Sequence, residues 1–192
     1  MAIETPIRRS SGGNLAYTDL RDWLRQIDAM GQLKHVNGAN TENDIGQATD
    51  VLNHTPGAPA AIFDNIPGYA PGFRVLSNSL NTQERIAYTL GIAHDVPLAE
   101  KIEAWRVRRN AIEPIPYVEV SDGPVLENVM RGDQVDLLKF PAPKWHPDDG
   151  GRYIGTGSFD VTRDPDEGWI NCGTYRVMLH NRNQVGYYIS PG

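Results

Sequence analysis

Cysteine is nearly absent from this chain, in which Cys172 is the only one among 192 residues. A single thiol cannot form an intramolecular disulfide framework, and it cannot build a cysteine-rich zinc site. We therefore expect a protein of a reducing, cytoplasmic setting whose fold depends on ordinary packing.

Long apolar runs and an excess of basic residues are also missing. The N-terminus has no apolar stretch of signal-peptide length, and no later stretch approaches the length of a membrane span. The formal net charge of -6 argues against general nucleic-acid binding, because neutralising phosphates needs a basic surface. The one basic cluster, WRVRRN, is interpreted as the solvated face of a helix. We expect no nucleic acid among the partners and no membrane span.

What is present is the composition of a globular protein, since 40% hydrophobic and 22% charged residues exclude a disordered or collagen-like chain. The secondary-structure signals change character along the sequence and predict an α+β fold. We predict a flexible arm over residues 1–17, an N-terminal α/β domain over residues 18–118, and the incomplete start of a β domain over residues 119–192. The arm is predicted from its run of serine and glycine.

Helical spacing of apolar residues defines the first regime, which is the predicted N-terminal α/β domain. The second regime is the predicted β domain. In TDLRDWLRQIDAMG it predicts a helix that Thr18 caps and Gly31 ends. TEND predicts the start of a second helix, because Thr41 and Asp44 have capping-box spacing. Further helices are predicted at TQERIAYTLG and at PLAEKIEAWRVRRN, where Pro97 suits a first turn.

Short strands complete the first regime and fill the second. AAIFDNI and FRVLSNSL are predicted strands on either side of the turn PGYAPG. After EPIPY, the runs RYIGTGSFDVTRD, GWINCGTYRVMLH and QVGYYIS predict an antiparallel meander. These strands are too few to close a barrel, so the second domain is predicted to be incomplete.

The loop KWHPDDGG holds candidate chemistry. A histidine beside carboxylates can act as an acid, a base or a metal ligand, as His146, Asp148 and Asp149 could here. Consecutive aspartates before two glycines are also typical of a solvated turn. The turn is the favoured interpretation, because adjacent residues rarely converge on one metal.

The segment NCGTYR offers polar groups on a predicted strand. Alternation along a strand places Asn171 on one face and Arg176 on the other. The two can share a face only if the strand is kinked or bulged, and Gly173 could permit that irregularity. The pattern alone favours a plain strand with Arg176 at its end.

From YTDLRDWLRQIDAMGQL through RVLSNSLNTQERIAYTLG to KWHPDDGGRYIGTGSFDVTRDPDEGWINCGTYR and YYISPG, the chain resembles the UbiD family of prenylated-flavin-dependent decarboxylases. The last two segments are the specific ones. The resemblance implies an N-terminal α/β domain, a split β-barrel that binds prenylated FMN, and a C-terminal domain used in oligomerisation. On this basis we expect the chain to stop inside the cofactor-binding domain and to be inactive alone.

The resemblance also implies roles for individual residues. Asn171 would be a ligand of the divalent metal that bridges the cofactor phosphate, with Mn²⁺ expected and K⁺ as a further ion. Arg176 would sit over the reactive ring system as the catalytic residue, with two acidic partners that we expect outside these 192 residues. The remaining cofactor contacts implied by the resemblance are Cys172, Gly173, Thr174, Tyr175, Ile189, Ser190 and Pro191.

The activity implied is reversible, non-oxidative decarboxylation of an aromatic or α,β-unsaturated carboxylic acid, with the modified flavin as electron acceptor. The expected partners are that small acid, a flavin prenyltransferase as cofactor supplier, and further copies of the full-length chain in a homo-oligomer. The alternative is a non-catalytic fragment or accessory subunit that acts through its N-terminal domain. Retention of a flavin distinguishes the two.

Overall fold

The computed structural model describes residues 15–114 and 120–189. The fold is α+β, as the sequence predicts. No helix within these two ranges is long and apolar enough to cross a membrane. In chain order, the helices and strands are α1 (Leu20–Ala29), β1 (Leu33–Asn37), α2 (Asp44–His54), β2 (Ala60–Asp64), β3 (Val75–Ser77), α3 (Gln83–Leu90), α4 (Leu98–Asn110), β4 (Tyr153–Gly155), β5 (Asp160–Arg163), β6 (Ile170–Gly173), β7 (Val177–Leu179) and β8 (Val185–Tyr187).

The described chain forms two compact units, and each unit is made of two stretches of sequence. The first unit holds the described residues up to Leu33 together with those of Ser79–Glu127. The second holds Lys34–Asn78 and the described residues from Asn128 onward. The predicted domain boundary at residue 118 and the first 14 residues of the predicted arm lie outside the described residues.

Tyr17, the last residue of the predicted arm, belongs to the first unit and contacts α3 there. Its hydroxyl donates to the carbonyl oxygen of Thr89 at 2.9 Å. Its ring lies 5.9 Å from that of Tyr88, centroid to centroid. Burial raises the pKa of the Tyr17 hydroxyl, and the positive charge of Arg108 partly offsets that rise.

The helices of the first unit begin and end close to where the sequence predicts. The cap of α1 is a correction: Asp19, one residue after the predicted Thr18, accepts from the amide of Asp22 at 2.7 Å. Thr18 instead donates its own amide to the Asp22 carboxylate, because it lies just outside the helix. Gly31 follows the helix with φ 70°, in the left-handed region that the predicted stop requires.

Arg85 on α3 is fully buried in this unit. Its Nε donates to the carbonyl oxygen of Ser79 at 2.9 Å, and Nη1 donates to Gln32 Oε1 at 2.8 Å. Burial lowers the pKa of the guanidinium, and the nearby Glu84 opposes that shift. The hydrogen bonds satisfy donors whose burial would otherwise be costly.

Helix α2 packs on the sheet of the second unit, in which the strand order is β1-β2-β3. The predicted capping box is wrong in detail. The side-chain oxygen of Asn40, and not that of Thr41, accepts from the amides that start the helix, at 2.8 Å from the nitrogen of Asn43. Thr41 is buried and offers its carbonyl oxygen to the amide of Lys144. The core beneath consists of Ala39, Ile45, Ala61, Phe63 and Ile66, with Trp145 and others packed against it.

The strands of the second regime pair antiparallel, as predicted. β4, β7 and β8 form one sheet in that order, and β5 pairs with β6 in another. The predicted strands RYIGTGSFDVTRD and GWINCGTYRVMLH are each divided in two. β4 and β5 follow one another on one arm of a long hairpin, and β6 and β7 follow one another on the other arm. Short 3-10 turns at Pro124–Leu126, Gly132–Gln134 and Leu137–Lys139 precede this hairpin.

Candidate functional site

The segment that carries Asn171 and Arg176 is broken. Asn171 lies on β6, which ends at Gly173, and Arg176 lies immediately before β7. The plain strand favoured by the pattern is thus wrong, and the irregularity that Gly173 could permit is present. Asn171 therefore belongs to the β5–β6 sheet, whereas Arg176 directly precedes a strand of the β4-β7-β8 sheet.

The carboxylate of Asp160 on β5 binds the main chain at this break. Its Oδ2 accepts from the amide of Tyr175 at 3.2 Å and from the hydroxyl of Ser158 at 2.9 Å. A side chain thus replaces the strand partner that would otherwise satisfy this amide. Asp160 could not be identified from the sequence, because the pattern of a single strand does not indicate a partner on the opposite arm.

Tyr175 folds back over Gly173. A Cβ added at Gly173 would lie 2.6 to 2.8 Å from ring atoms and the hydroxyl oxygen of Tyr175, so only glycine leaves room for this approach. The Tyr175 hydroxyl accepts from Asn171 Nδ2 at 3.1 Å. Its ring also packs against Tyr187 of β8, with centroids 5.2 Å apart. Asn171 is therefore held with its amide nitrogen towards Tyr175.

Arg176 lies between an aromatic ring and a carboxylate. Its guanidinium carbon is 4.3 Å from the centroid of the Tyr153 ring. Its Nη2 is 3.5 Å from Oδ1 of Asp149, and 54% of its side chain remains exposed. The permanently charged guanidinium is therefore exposed to solvent, while the Tyr153 ring and the Asp149 carboxylate restrict its position.

Asp149 is the more buried member of this pair, with 11% of its side chain exposed. Its Oδ2 accepts from the amide of His146 at 3.0 Å. Burial acts to raise the pKa of Asp149, but the amide hydrogen bond and the charges of Arg176 and His146 outweigh it, and the pKa is lowered. The sequence interpretation expected the acidic partners of Arg176 outside the chain, whereas the structure places one acidic residue beside it.

The loop that carries Asp149 is fixed to α2. Trp145 packs against the core, and its indole N–H donates to the carbonyl oxygen of Tyr153 at 3.3 Å. The backbone of this loop passes so close to Gly46 that an added Cβ would lie 2.5 Å from the oxygen of Lys144. The predicted turn at His146 to Asp149 is present, and the same turn supplies the carboxylate beside Arg176.

The other predicted site residues are spread around the break. Cys172 is exposed on β6 opposite Val161, Thr174 is exposed within the break, and Ile189 follows β8. Ser190 and Pro191 lie outside the described residues. The structure therefore brings Asn171 together with Gly173 and Tyr175, and Arg176 together with Asp149 and Tyr153.

The donor types present fit a metal and a phosphorylated flavin in part. An amide oxygen such as that of Asn171 is a hard ligand that suits Mn²⁺ or Mg²⁺, and a guanidinium suits carboxylate or phosphate. The described residues contain no group of three or more His, Cys, Asp or Glu side chains that could hold a metal ion. Asn171 would therefore be one ligand of a larger set.

Two family models match this chain, one over its N-terminal part with helices and strands and the other over the β region that follows. The 3-octaprenyl-4-hydroxybenzoate carboxy-lyase N-terminal domain matches residues 24–105, and the Rift-related domain of the same carboxy-lyase matches residues 117–192. Together the two models cover most of the chain with two domains of one family. The chain belongs to the UbiD family.

Two of the curated relatives are decarboxylases. The chain is 34% identical over 180 residues to pyrrole-2-carboxylic acid decarboxylase of Pseudomonas aeruginosa, covering 90% of this chain and 36% of the relative. It is 30% identical over 184 residues to a phenolic acid decarboxylase of Escherichia coli O157:H7, covering 92% of this chain and 38% of the relative. The chain thus spans little more than a third of the length of these relatives.

Solved structures of the same class have the same fold over this length. The closed form of vanillic acid decarboxylase from Sedimentibacter hydroxybenzoicus is 30% identical, with a TM-score of 0.78 over 89% of this chain and 37% of that one. The UbiD-class enzyme HmfF of Pelotomaculum thermopropionicum, solved in complex with FMN, is 26% identical, with a TM-score of 0.70 over 90% of this chain and 37% of that one. An evolved dimeric form of HmfF was solved with prenylated FMN.

Proposed function

We propose that this chain is the N-terminal portion of a UbiD-type decarboxylase that acts reversibly on an aromatic carboxylic acid with prenylated FMN and a divalent metal, Mn²⁺ being the expected ion. The observation that carries the proposal is the match of both family models in order along the chain. The pyrrole, phenolic and vanillic acids named for the relatives favour an aromatic acid over a simple α,β-unsaturated one. In the full-length enzyme we expect a homo-oligomer supplied with cofactor by a flavin prenyltransferase.

Arg176 is proposed as the catalytic residue of this chain. Its guanidinium is permanently charged, half exposed, and held beside the flat ring of Tyr153. A guanidinium can bind both oxygens of a carboxylate, so Arg176 would orient the carboxylate that leaves as carbon dioxide. The stabilisation is electrostatic, and it is largest when the charge is placed before the reaction begins.

Asn171 and the residues after it are proposed to hold the cofactor. The amide oxygen of Asn171 would bind the metal while its nitrogen donates to Tyr175. The main chain from Cys172 to Tyr175 and the segment from Ile189 to Pro191 would run along the flavin. The cofactor, when bound, supplies the electron sink that decarboxylation needs.

Substitution of Arg176 tests this proposal in the full-length enzyme that it implies. Arg176→Ala is expected to lower kcat by more than tenfold, a barrier increase of at least about 1.4 kcal/mol, while the protein retains its flavin. Arg176→Lys is expected to restore little, because an ammonium group cannot form a two-point contact. Carbon dioxide release and the flavin absorbance of the purified protein are the measurements.

Arg182→Ala is the matched control, because it removes an exposed arginine only six residues away. It is expected to retain wild-type kcat. If Arg176→Ala keeps more than about a tenth of kcat, the role of Arg176 is wrong. A colourless full-length protein that releases no carbon dioxide from any aromatic acid, even after prenylated FMN and Mn²⁺ are supplied, contradicts the function itself and favours a non-catalytic role. The 192 residues alone are expected to release none above background.

A further inference from the structure

We propose that Asp149 and Tyr153 are positioning residues for Arg176, and that they fix its guanidinium before any ligand binds. The consequence for catalysis rests on the proposed function of Arg176, whereas the geometry does not. The sequence pattern favoured a solvated turn at Asp149 and assigned no role to Tyr153. All three side chains belong to the second compact unit.

The two contacts restrict the guanidinium in different ways. The guanidinium carbon lies over the Tyr153 ring, 4.3 Å from the ring centroid. The Asp149 carboxylate lies beside one N–H group, with 3.5 Å between Oδ1 and Nη2. The ring attracts the cation to its face and the carboxylate attracts one N–H group, so the two contacts together restrict the position and the direction of the guanidinium.

Asp149 is itself held in place by the loop. Its Oδ2 accepts from the amide of His146 at 3.0 Å, and its own amide donates to the carbonyl oxygen of His146 at 3.1 Å. With Oδ2 engaged in this turn, Oδ1 is the oxygen that faces Arg176. Only 11% of the side chain is exposed, which leaves it little room to rotate.

Tyr153 is held by the same loop. Its amide donates to the carbonyl oxygen of Pro143 at 3.0 Å, and its carbonyl oxygen accepts from the indole of Trp145 at 3.3 Å. Trp145 in turn packs against the core. Asp149 lies in this loop and Tyr153 begins β4 a few residues after it, so contacts with the core support both residues.

The contact with Asp149 still leaves Arg176 able to bind a ligand. It uses one N–H of Nη2, and four of the five guanidinium N–H groups remain. An incoming carboxylate can therefore bind the other two-point edge, which pairs the second N–H of Nη2 with an N–H of Nη1 or Nε, without displacing Asp149. We infer that Asp149 orients the charge of Arg176 and does not compete for it.

Nuclear magnetic resonance of the 192-residue chain tests the proposal without cofactor or substrate. The side-chain Nε–H signal of Arg176, assigned by its loss in Arg176→Ala, reports how ordered the guanidinium is. Asp149→Asn keeps an oxygen for the His146 amide but removes the charge, and it is expected at least to halve the heteronuclear NOE of that signal. Asp148→Asn, which removes the same charge from the neighbouring exposed residue, is expected to leave it unchanged.

Tyr153 provides the second pair of variants. Tyr153→Phe keeps the ring and is expected to leave the Arg176 signal ordered, whereas Tyr153→Leu is expected to reduce its NOE. The indole N–H signal of Trp145 shows whether a variant has displaced the loop. If Asp149→Asn displaces the loop, the comparison of Tyr153→Phe with Tyr153→Leu decides whether the proposal holds.

The proposal is overturned if Asp149→Asn leaves the Arg176 signal as ordered as in the wild type, or if Asp148→Asn loosens it equally. It is also overturned if Tyr153→Phe and Tyr153→Leu behave alike. Decarboxylation is not measured in any of these experiments. Failure of the proposed catalytic role of Arg176, seen as more than about a tenth of kcat retained in Arg176→Ala, is therefore distinguishable from failure of this inference.

Discussion

Asp149 illustrates how the surroundings of one residue change its chemistry. Burial alone would favour the neutral carboxyl group, yet the His146 amide and two neighbouring positive groups favour the carboxylate, and the net effect lowers its pKa. Arg176 provides one of the charges responsible. Removing it should therefore change the titration of Asp149 in a known direction.

The pKa of Asp149 is expected to rise in Arg176→Ala. The contribution of burial, which raises the pKa, remains in that variant, while the charge of Arg176, which lowers it, is lost. Arg182→Ala is the control, because it removes a charge that does not contact Asp149, and it is expected to leave the titration unchanged. Carboxyl chemical shifts recorded against pH provide the measurement, and an unchanged midpoint in Arg176→Ala would contradict the contact.

The lowered pKa of Asp149 also determines how its contribution to the stability of the folded state depends on pH. A carboxyl group whose pKa is lowered on folding stabilises the folded state above its usual value of 3.8, and this stabilisation is lost as the pH falls through the folded value. The partner Arg176 is half exposed, so solvent screening keeps the contribution of the pair to about 0–1 kcal/mol.

At the scale of elements, helix α2 and the loop that follows the 3-10 turns are packed backbone to backbone. Gly46 is buried in α2, and an added Cβ would lie 2.5 Å from the carbonyl oxygen of Lys144 and 2.6 Å from that of Trp145. Glycine normally weakens a helix, so its presence here reflects the close approach and not helix formation. The same loop carries Asp149, and α2 therefore supports the candidate site indirectly.

Gly46→Ala is expected to destabilise the protein by about 1–3 kcal/mol, because the clash is with backbone atoms that cannot rotate away. The better helix propensity of alanine, about 1 kcal/mol, works against this loss. Urea unfolding measures the change. Gln47→Ala, at the next and exposed helical position, is the control and is expected to stay within about 0.5 kcal/mol of the wild type. Equal stability of the two variants would show that the loop does not rest on α2.

Stability is unevenly distributed over the whole molecule. Strand β2 is almost entirely buried and pairs with β3 over a well-packed core. The two-stranded β5–β6 sheet instead exposes apolar side chains, including Val161 at 61% and Ile170 at 49%. A two-stranded ladder without a covering layer is at best marginally stable in water.

Amide hydrogen exchange on the 192-residue chain is therefore expected to be slowest in β2 and in the helices around Trp23 and Val51. The amides of β5 and β6 should exchange much faster. Correction for intrinsic exchange rates removes the effect of residue type. Uniform protection of β2 and β6 in a monomeric sample would mean that the hairpin is stable by itself.

Local signals in the sequence determined most of the elements. Thr82 and Gly91 frame α3, with the Thr82 hydroxyl accepting from Arg85 and Gly91 in the left-handed conformation, because capping depends on residues within one turn. The choice between neighbouring caps was less secure. Asp19 and Asn40 were missed, since several polar residues in a row can each offer an oxygen and only the folded backbone selects one.

The family could also be identified from the sequence, because its specific segments are contiguous runs of residues. The helix predicted at PLAEKIEAWRVRRN is present as α4, yet its apolar residues Leu98 and Ile102 are exposed. Helical spacing indicates which side of a helix is apolar, but not what covers it. The β1 strand was not predicted, because LKHVN has little of the alternation that identifies a strand.

Tertiary structure alone decided the surroundings of Arg176. The pattern could state that Gly173 permits a break, but the break exists because Asp160 and Ser158, on the opposite arm of the hairpin, bind the main chain there. Asp149 lies 27 residues before Arg176, and the two meet only because a loop fixed by Trp145 reaches the start of β7. Local sequence determines conformations that depend on neighbouring residues. Contacts between distant residues depend on how the whole unit packs, and the spacing of residues along the chain does not contain that information.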